Sequence, residues 1–121
     1  MSREWHLFLT DAIQFCERIR QFTAGLDRLS FEADQKTYDA TLRNLELIGE
    51  AVKQIPDVVL SRHSEIPWRD IIATRNYLSH VYFGVDNDVI WNIITEKLAP
   101  LTLALCDLEL QTRSERNEAS E

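Results

Sequence analysis

The chain has 121 residues, 45% of them apolar, enough for one compact domain with a core of its own and too few for two. Its formal charge is -7, from 13 basic and 20 acidic residues, which argues against a broad basic face of the kind that coats duplex DNA or anionic lipid and leaves room only for a small local basic site. Three glycines and three prolines disfavour collagen-like, linker-rich and many-turned β architectures, so helices are the expectation.

From Trp5 to Phe22 the apolar positions Trp5, Phe8, Leu9, Ala12, Ile13, Cys16, Ile19 and Phe22 recur at three- and four-residue steps, which predicts a first helix. Gly25 and the Asp27-Arg28-Leu29-Ser30 segment interrupt it, and Ser30 or Asp34 has the short side-chain oxygen that caps a new helix. This second helix begins near Asp34, carries Tyr38, Thr41, Leu42, Leu45, Ile48, Gly49 and Val52 on its stripe, and ends before Pro56. Gly49 inside that stripe costs about 1 kcal/mol relative to Ala, so its use is to let another helix or chain come close.

Residues 57 to 66 predict a short helix or turn, after which Pro67 opens a third helix that runs to about His80. Gly84 and the Asp86-Asn87-Asp88 run read as a stop and a fresh cap. The last helix then carries Val89, Ile90, Ile93, Ile94, Leu98, Leu101, Leu105 and Leu108, with a kink expected at Pro100. Residues 113–121 are polar and charged apart from one alanine and are expected to fray, leaving 1–112 as a single domain. The fold class is therefore an all-α, up-and-down helical bundle of four to five helices with a kinked last helix.

Cys16 and Cys106 lie on apolar stripes with no CxxC or Cys/His spacing, so both are expected to stay reduced and structural. The positions three before His6, His63 and His80 are Arg3, Leu60 and Tyr77, so the Glu-x-x-His pairs of a carboxylate-bridged metal bundle are missing. No glycine-rich phosphate loop is present either, and neither a metal nor a cofactor is expected. The N-terminus lacks a basic segment followed by an apolar stretch, and no apolar run approaches the roughly 18 residues of a bilayer span, so a cytoplasmic protein without a membrane partner is expected.

What remains is Arg75-Asn76-Tyr77-Leu78-Ser79-His80-Val81-Tyr82, of the form R-x4-H-x-Y, at the end of the third helix. It closes the one basic window of the chain: Arg62, Arg69 and Arg75 stand against Glu65 and Asp70 between positions 62 and 80. At about 100° per residue Asn76 and His80 share a face, whereas Arg75 and His80 diverge by about 140°, so their convergence needs a helix end or a second subunit. Arg75 offers a permanent cationic fork for phosphate, and His80 a general acid or base, the minimum for attack of a ribose 2′-OH on its own phosphate. A surface ion pair and a helix cap satisfy the same spacing.

Taken together, Arg43–Ala51, His63–Ile72, Arg75–Asp86 and Val89–Trp91 resemble, in order and spacing, the HepT-like toxins of the HEPN superfamily, helical proteins encoded with a minimal, MntA-type nucleotidyltransferase antitoxin. The likeness spans roughly residues 34 to 105 and implies a HEPN-like bundle. It implies that Arg75 and His80 are catalytic in metal-independent cleavage of messenger or transfer RNA, with Asn76 as a polar neighbour. It implies further that Tyr82 is adenylylated by the antitoxin, which blocks the site with negative charge and bulk, and that the chain forms a homodimer whose two motifs face a shared cleft. Ser79 stands where the family leads one to expect a small apolar residue. The alternative reading is a noncatalytic helical dimer that binds and regulates a nucleotidyltransferase.

Glu46 and Glu50, one turn apart on the second helix, reach toward the basic window, either positioning Arg75 or lowering its availability; a solvated ion-pair face is the simpler account. Trp5, Trp68 and Trp91 read as packing anchors, and Tyr77 and Phe83 as core residues before base-stacking ones. His63 reads as a cap or an RNA contact, and the spacing leaves both open.

Overall fold

The computed structural model describes residues 4–81 and 84–120, and these build an all-α bundle in which α3 (Gln35–Val52) is central. α1 (Trp5–Thr23) lies along it and buries Leu9, Ala12, Cys16 and Ile19, the four-residue stripe its sequence presents. α2 (Arg28–Ala33) is a six-residue helix capped by Asp27, whose carboxylate accepts from the Ser30 amide. It plugs Phe31 into the core, where the ring meets Tyr38 and Trp91 at centroid distances of 5.4 and 5.6 Å. Asp34 caps α3 as its side chain suggests, accepting from Thr37; the segment from Asp27 to Ser30, an interruption by its pattern, holds the start of α2 instead.

After Pro56 the chain makes α4 (Asp57–Leu60) and a 3-10 turn (Ser61–His63), then enters α5 (Trp68–His80). Trp68 fastens that corner: its indole N–H donates to the carbonyl oxygens of Leu60 and His63 at 2.9 and 3.0 Å, satisfying two groups the short helices leave open. α5 packs principally on α3, and no residue of it is fully buried.

The last third is one composite helix: α6 (Asn87–Asn92), a π-helical turn (Ile93–Lys97) and α7 (Leu98–Ser120). The irregularity expected at Pro100 takes the form of that π turn, one turn N-terminal to the proline. Pro100 has no N–H for the carbonyl of Glu96 and its ring crowds that group, and the turn holding Glu96 is the one that widens. Ile90, Leu98, Leu101, Leu105 and Leu108 close the core from this side.

Two expectations change here. Residues 113–120, expected to fray, continue α7 to Ser120. Arg113 bonds Glu109 one turn back, and Arg62 reaches across from the 3-10 turn to Glu115 at 2.8 Å, so side-chain pairing supplies what the missing apolar surface does not. The composite helix between Asn87 and Glu118 is also long and apolar enough, by length and composition, to cross a membrane, which isolated apolar runs do not suggest; in the bundle one face of it forms the core.

Candidate functional site

The segment from Arg75 to His80 forms the last turns of α5, and the helix stops at His80, where Val81 turns to extended backbone with φ -84 and ψ 121. Arg75 and His80 therefore both sit on helix, five residues apart, and keep the divergence of about 140° that an α-helix imposes. Tyr82, the last residue of the motif, and Phe83 lie outside the described residues.

Arg75 is set by its neighbours on α3. Gly49 faces it, and a β-carbon there would overlap Arg75 Cβ and stand 3.0 Å from the carbonyl oxygen of Ile71. The glycine thus lets α5 approach α3 within the same chain, the first of the two uses its place in the stripe suggests. At that crossing Arg75 Nε donates to Glu50 Oε2 at 2.5 Å, and Arg75 Nη1 donates to Asn76 Oδ1 at 3.1 Å. One turn along, Ser79 Oγ donates to Glu46 Oε2 at 2.6 Å, while Glu46 Oε1 accepts from Arg43 at 2.9 Å. The Ser79 hydroxyl, with Arg43 second, holds the Glu46 carboxyl below its usual range. The polar residue at 79 thus has a partner on α3 that no local pattern announces.

His80 closes the helix and is exposed, without a hydrogen-bond partner among the described residues. The chain beyond it is fastened at its far side. Gly84 takes φ +60, which favours glycine; the amide of Asp86 donates to Tyr77 Oη at 3.1 Å; Tyr38 Oη donates to Asn87 Oδ1 at 2.5 Å. Asp86 then caps α6 by accepting from the Asp88 amide. Tyr77, 41% exposed, is therefore a strut between α5 and the start of α6 and not a core residue.

His63 is engaged on both ring nitrogens, Nδ1 with Glu65 at 2.6 Å and Nε2 with Asp107 at 2.7 Å, so it ties the 3-10 turn to α7 and is neither a helix cap nor a free RNA contact. The two carboxylates, Glu65 foremost, raise its pKa above the ordinary 6.5. They lie at opposite nitrogens of the ring, so the three groups do not converge on one point as metal ligands do. Cys16 is fully buried and its thiol is pushed up to about 12 by desolvation, which makes it a packing residue; Cys106 is half-buried and its thiol is raised for the same reason.

On another face of α5, a groove of about 610 Å³ opens between it and the composite helix, lined by Ile71, Thr74, Val89, Ile93 and Leu101 with Asp70 and Glu96 at its rim. None of Arg75, Asn76 and His80 lines it, and its acidic rim does not favour a polyanion.

A family model described as "Ribonuclease HepT-like" matches residues 12–107. The chain is 41% identical over 101 residues to "Probable ribonuclease HepT" of Thermococcus cleftensis, which covers 84% of this chain and 92% of that protein. It is 36% identical over 97 residues to "Putative RNase MJ0127" of Methanocaldococcus jannaschii, covering 80% of each, and 36% identical over 94 residues to "Putative RNase TTE0752" of Caldanaerobacter subterraneus, covering 78% of this chain and 84% of that protein. No solved structure matches the chain.

Proposed function

The chain belongs to the HepT-like ribonuclease family, and from that premise we propose that Arg75 and His80 are the catalytic pair with which it cleaves RNA inside the strand, by side-chain chemistry alone. One observation carries the assignment. Arg75 is held at the end of α5 by Glu50 and Asn76, while His80, last residue of the same helix, faces solvent with both ring nitrogens uncommitted among the described residues. His80 relays the proton between the attacking 2′-OH and the departing 5′-oxygen, and Arg75 neutralises the charge that builds on the phosphate between them. Asn76 supports this by accepting from Nη1, which leaves its own amide N–H groups for the RNA backbone.

The chain acts as a homodimer in this reading, because one α5 points Arg75 and His80 apart and two copies bring one of each to a common strand. α5 supports it: the helix has no fully buried residue, so a second copy has a face to cover. The partner that controls it is a cognate minimal nucleotidyltransferase antitoxin, in a cytoplasmic toxin and antitoxin pair, and the modified residue is Tyr82. Two residues beyond His80 in sequence, an added nucleotide brings negative charge and bulk to the motif, which opposes an incoming RNA phosphate.

The experiment is cleavage of labelled messenger and transfer RNA by unmodified protein in EDTA, with His80→Ala beside it. The expected result is cleavage by the wild type and a loss of at least about a hundredfold in the variant. RNA left whole by both, in a preparation shown to be dimeric, would move the assignment to a noncatalytic module that regulates the nucleotidyltransferase. Tyr82→Phe is expected to cut RNA as well as wild type and to escape the antitoxin.

A further inference from the structure

Glu50 lies outside the R-x4-H-x-Y motif, on a different helix and 25 residues before Arg75, yet its carboxylate is the group that meets the arginine. The contact is one rung of two. Glu50 holds Arg75 and Glu46 holds Ser79, so a pair of carboxylates one turn apart on α3 grips two side chains one turn apart on α5, with Gly49 admitting the close approach beside them.

This arrangement does something specific to the guanidinium. Gly49 brings the backbone of α3 against Arg75 Cβ, so the stem has little freedom on that side. Glu50 accepts from Nε and Asn76 from Nη1, which fixes the plane of the group at two points. Among the described residues Nη2 donates to nothing, so the terminal edge is what remains for an incoming anion. An ion pair whose side chains are 29% and 50% exposed contributes little to folding, and stability does not account for its place beside a proposed catalytic arginine.

We infer that Glu50 is a positioning residue of RNA cleavage, accepting from Arg75 Nε so that the terminal edge of the guanidinium is presented to the scissile phosphate. The inference rests on Arg75 being the phosphate-binding arginine. It also separates two effects of the carboxylate that act in opposite directions. Its charge repels an RNA phosphate, which weakens binding; its grip on Nε orients Arg75, which speeds the chemical step. Removing the side chain therefore lowers kcat while leaving KM unchanged or lower, and a merely structural role would not produce that split. Glutamine keeps an acceptor for Nε without the charge and restores kcat.

The test compares unmodified wild type, Glu50→Ala, Glu50→Gln and His80→Ala, each checked for folding by circular dichroism, in cleavage of labelled RNA in EDTA. It is read together with the Nε–H resonance of Arg75 by heteronuclear NMR. The expected result is an Arg75 Nε–H protected from exchange in wild type and Glu50→Gln and lost in Glu50→Ala. With it come a kcat about tenfold lower for Glu50→Ala and recovery to within about threefold of wild type for Glu50→Gln. Cleavage by Glu50→Ala at the wild-type kcat or faster, with wild type active, overturns the inference and leaves the catalytic pair standing, as does an Arg75 Nε–H that exchanges freely in wild type. Wild type and His80→Ala both leaving RNA whole overturns the catalytic pair, and Glu50 falls with it.

Discussion

Gly49 and Arg75 face each other across the α3–α5 crossing with no room for a methyl group between them: a β-carbon on Gly49 would overlap Arg75 Cβ and come within 3.3 Å of its Cγ. The obstacle on the α5 side includes the Ile71 carbonyl oxygen at 3.0 Å, which is backbone and moves only with the helix. Gly49→Ala is therefore expected to destabilise the fold by about 1–3 kcal/mol, the usual cost of overpacking, although alanine is the better helix former. Urea unfolding measures it. A variant as stable as wild type, with RNA cleavage intact, would show that α5 is free to move away.

His63 gives the bundle a pH dependence of definite sign. Its pKa is raised in the folded state by Glu65 and Asp107, so its contribution is fully present below the ordinary 6.5 and is lost as pH rises through the raised value. Wild type is expected to exceed His63→Gln in stability by about half a kcal/mol at pH 5.5, the range of a partly exposed ion pair, and by less at pH 8.5. Unfolding curves of the two proteins at both pH values check it, and a gap that widens at pH 8.5 contradicts the assignment.

Trp68 donates one N–H to two carbonyl oxygens at the corner between α4 and α5. Trp68→Phe keeps most of the ring and deletes the donor, which is expected to cost about 1 kcal/mol and to loosen α5 at its N-terminus. Amide exchange of residues 68–72 would report it as faster opening than in the core of α3.

The two thiols are expected to label in sequence. Cys16 has no exposed surface and its thiol is held at about 12, so it resists an aromatic disulfide reagent at pH 8 until the chain unfolds; Cys106, half-buried, reacts first in the native protein. One equivalent released natively and a second in denaturant is the expected count.

How much of this is legible in the sequence depends on how far apart the cooperating residues are. The long helices emerge from stripes such as Leu9, Ala12, Cys16 and Ile19, where the signal is periodic and local, and the cap at Asp34 comes from one side chain acting three residues on. α2 escapes such a reading because six residues make less than two turns, too few for a period to show. Arg75 and His80 can be singled out by type and spacing. Their company cannot: Glu46 meets Ser79 across 33 positions and His63 meets Asp107 across 44, and such pairs exist only once the crossing of the helices is known. Gly49 is the one local hint of that crossing, and it points to a close approach without naming Arg75.

The π turn leaves its mark on chain length. Ile90 and Leu98 are both buried and stand eight positions apart, which on an uninterrupted α-helix is about 80° out of line. A turn closed i to i+5 takes up one residue more than an α turn, so the spacing behaves as a heptad and both side chains point inward. Residues 93–97 are thus a seam at which one amino acid can be spliced out while everything on either side keeps its facing. A chain lacking Thr95 is expected to fold with the facing of both flanks kept, whereas one lacking Ala104 would turn Leu105 and Leu108 out of the interior and fail to fold, a contrast that thermal melts of the two deletions would show.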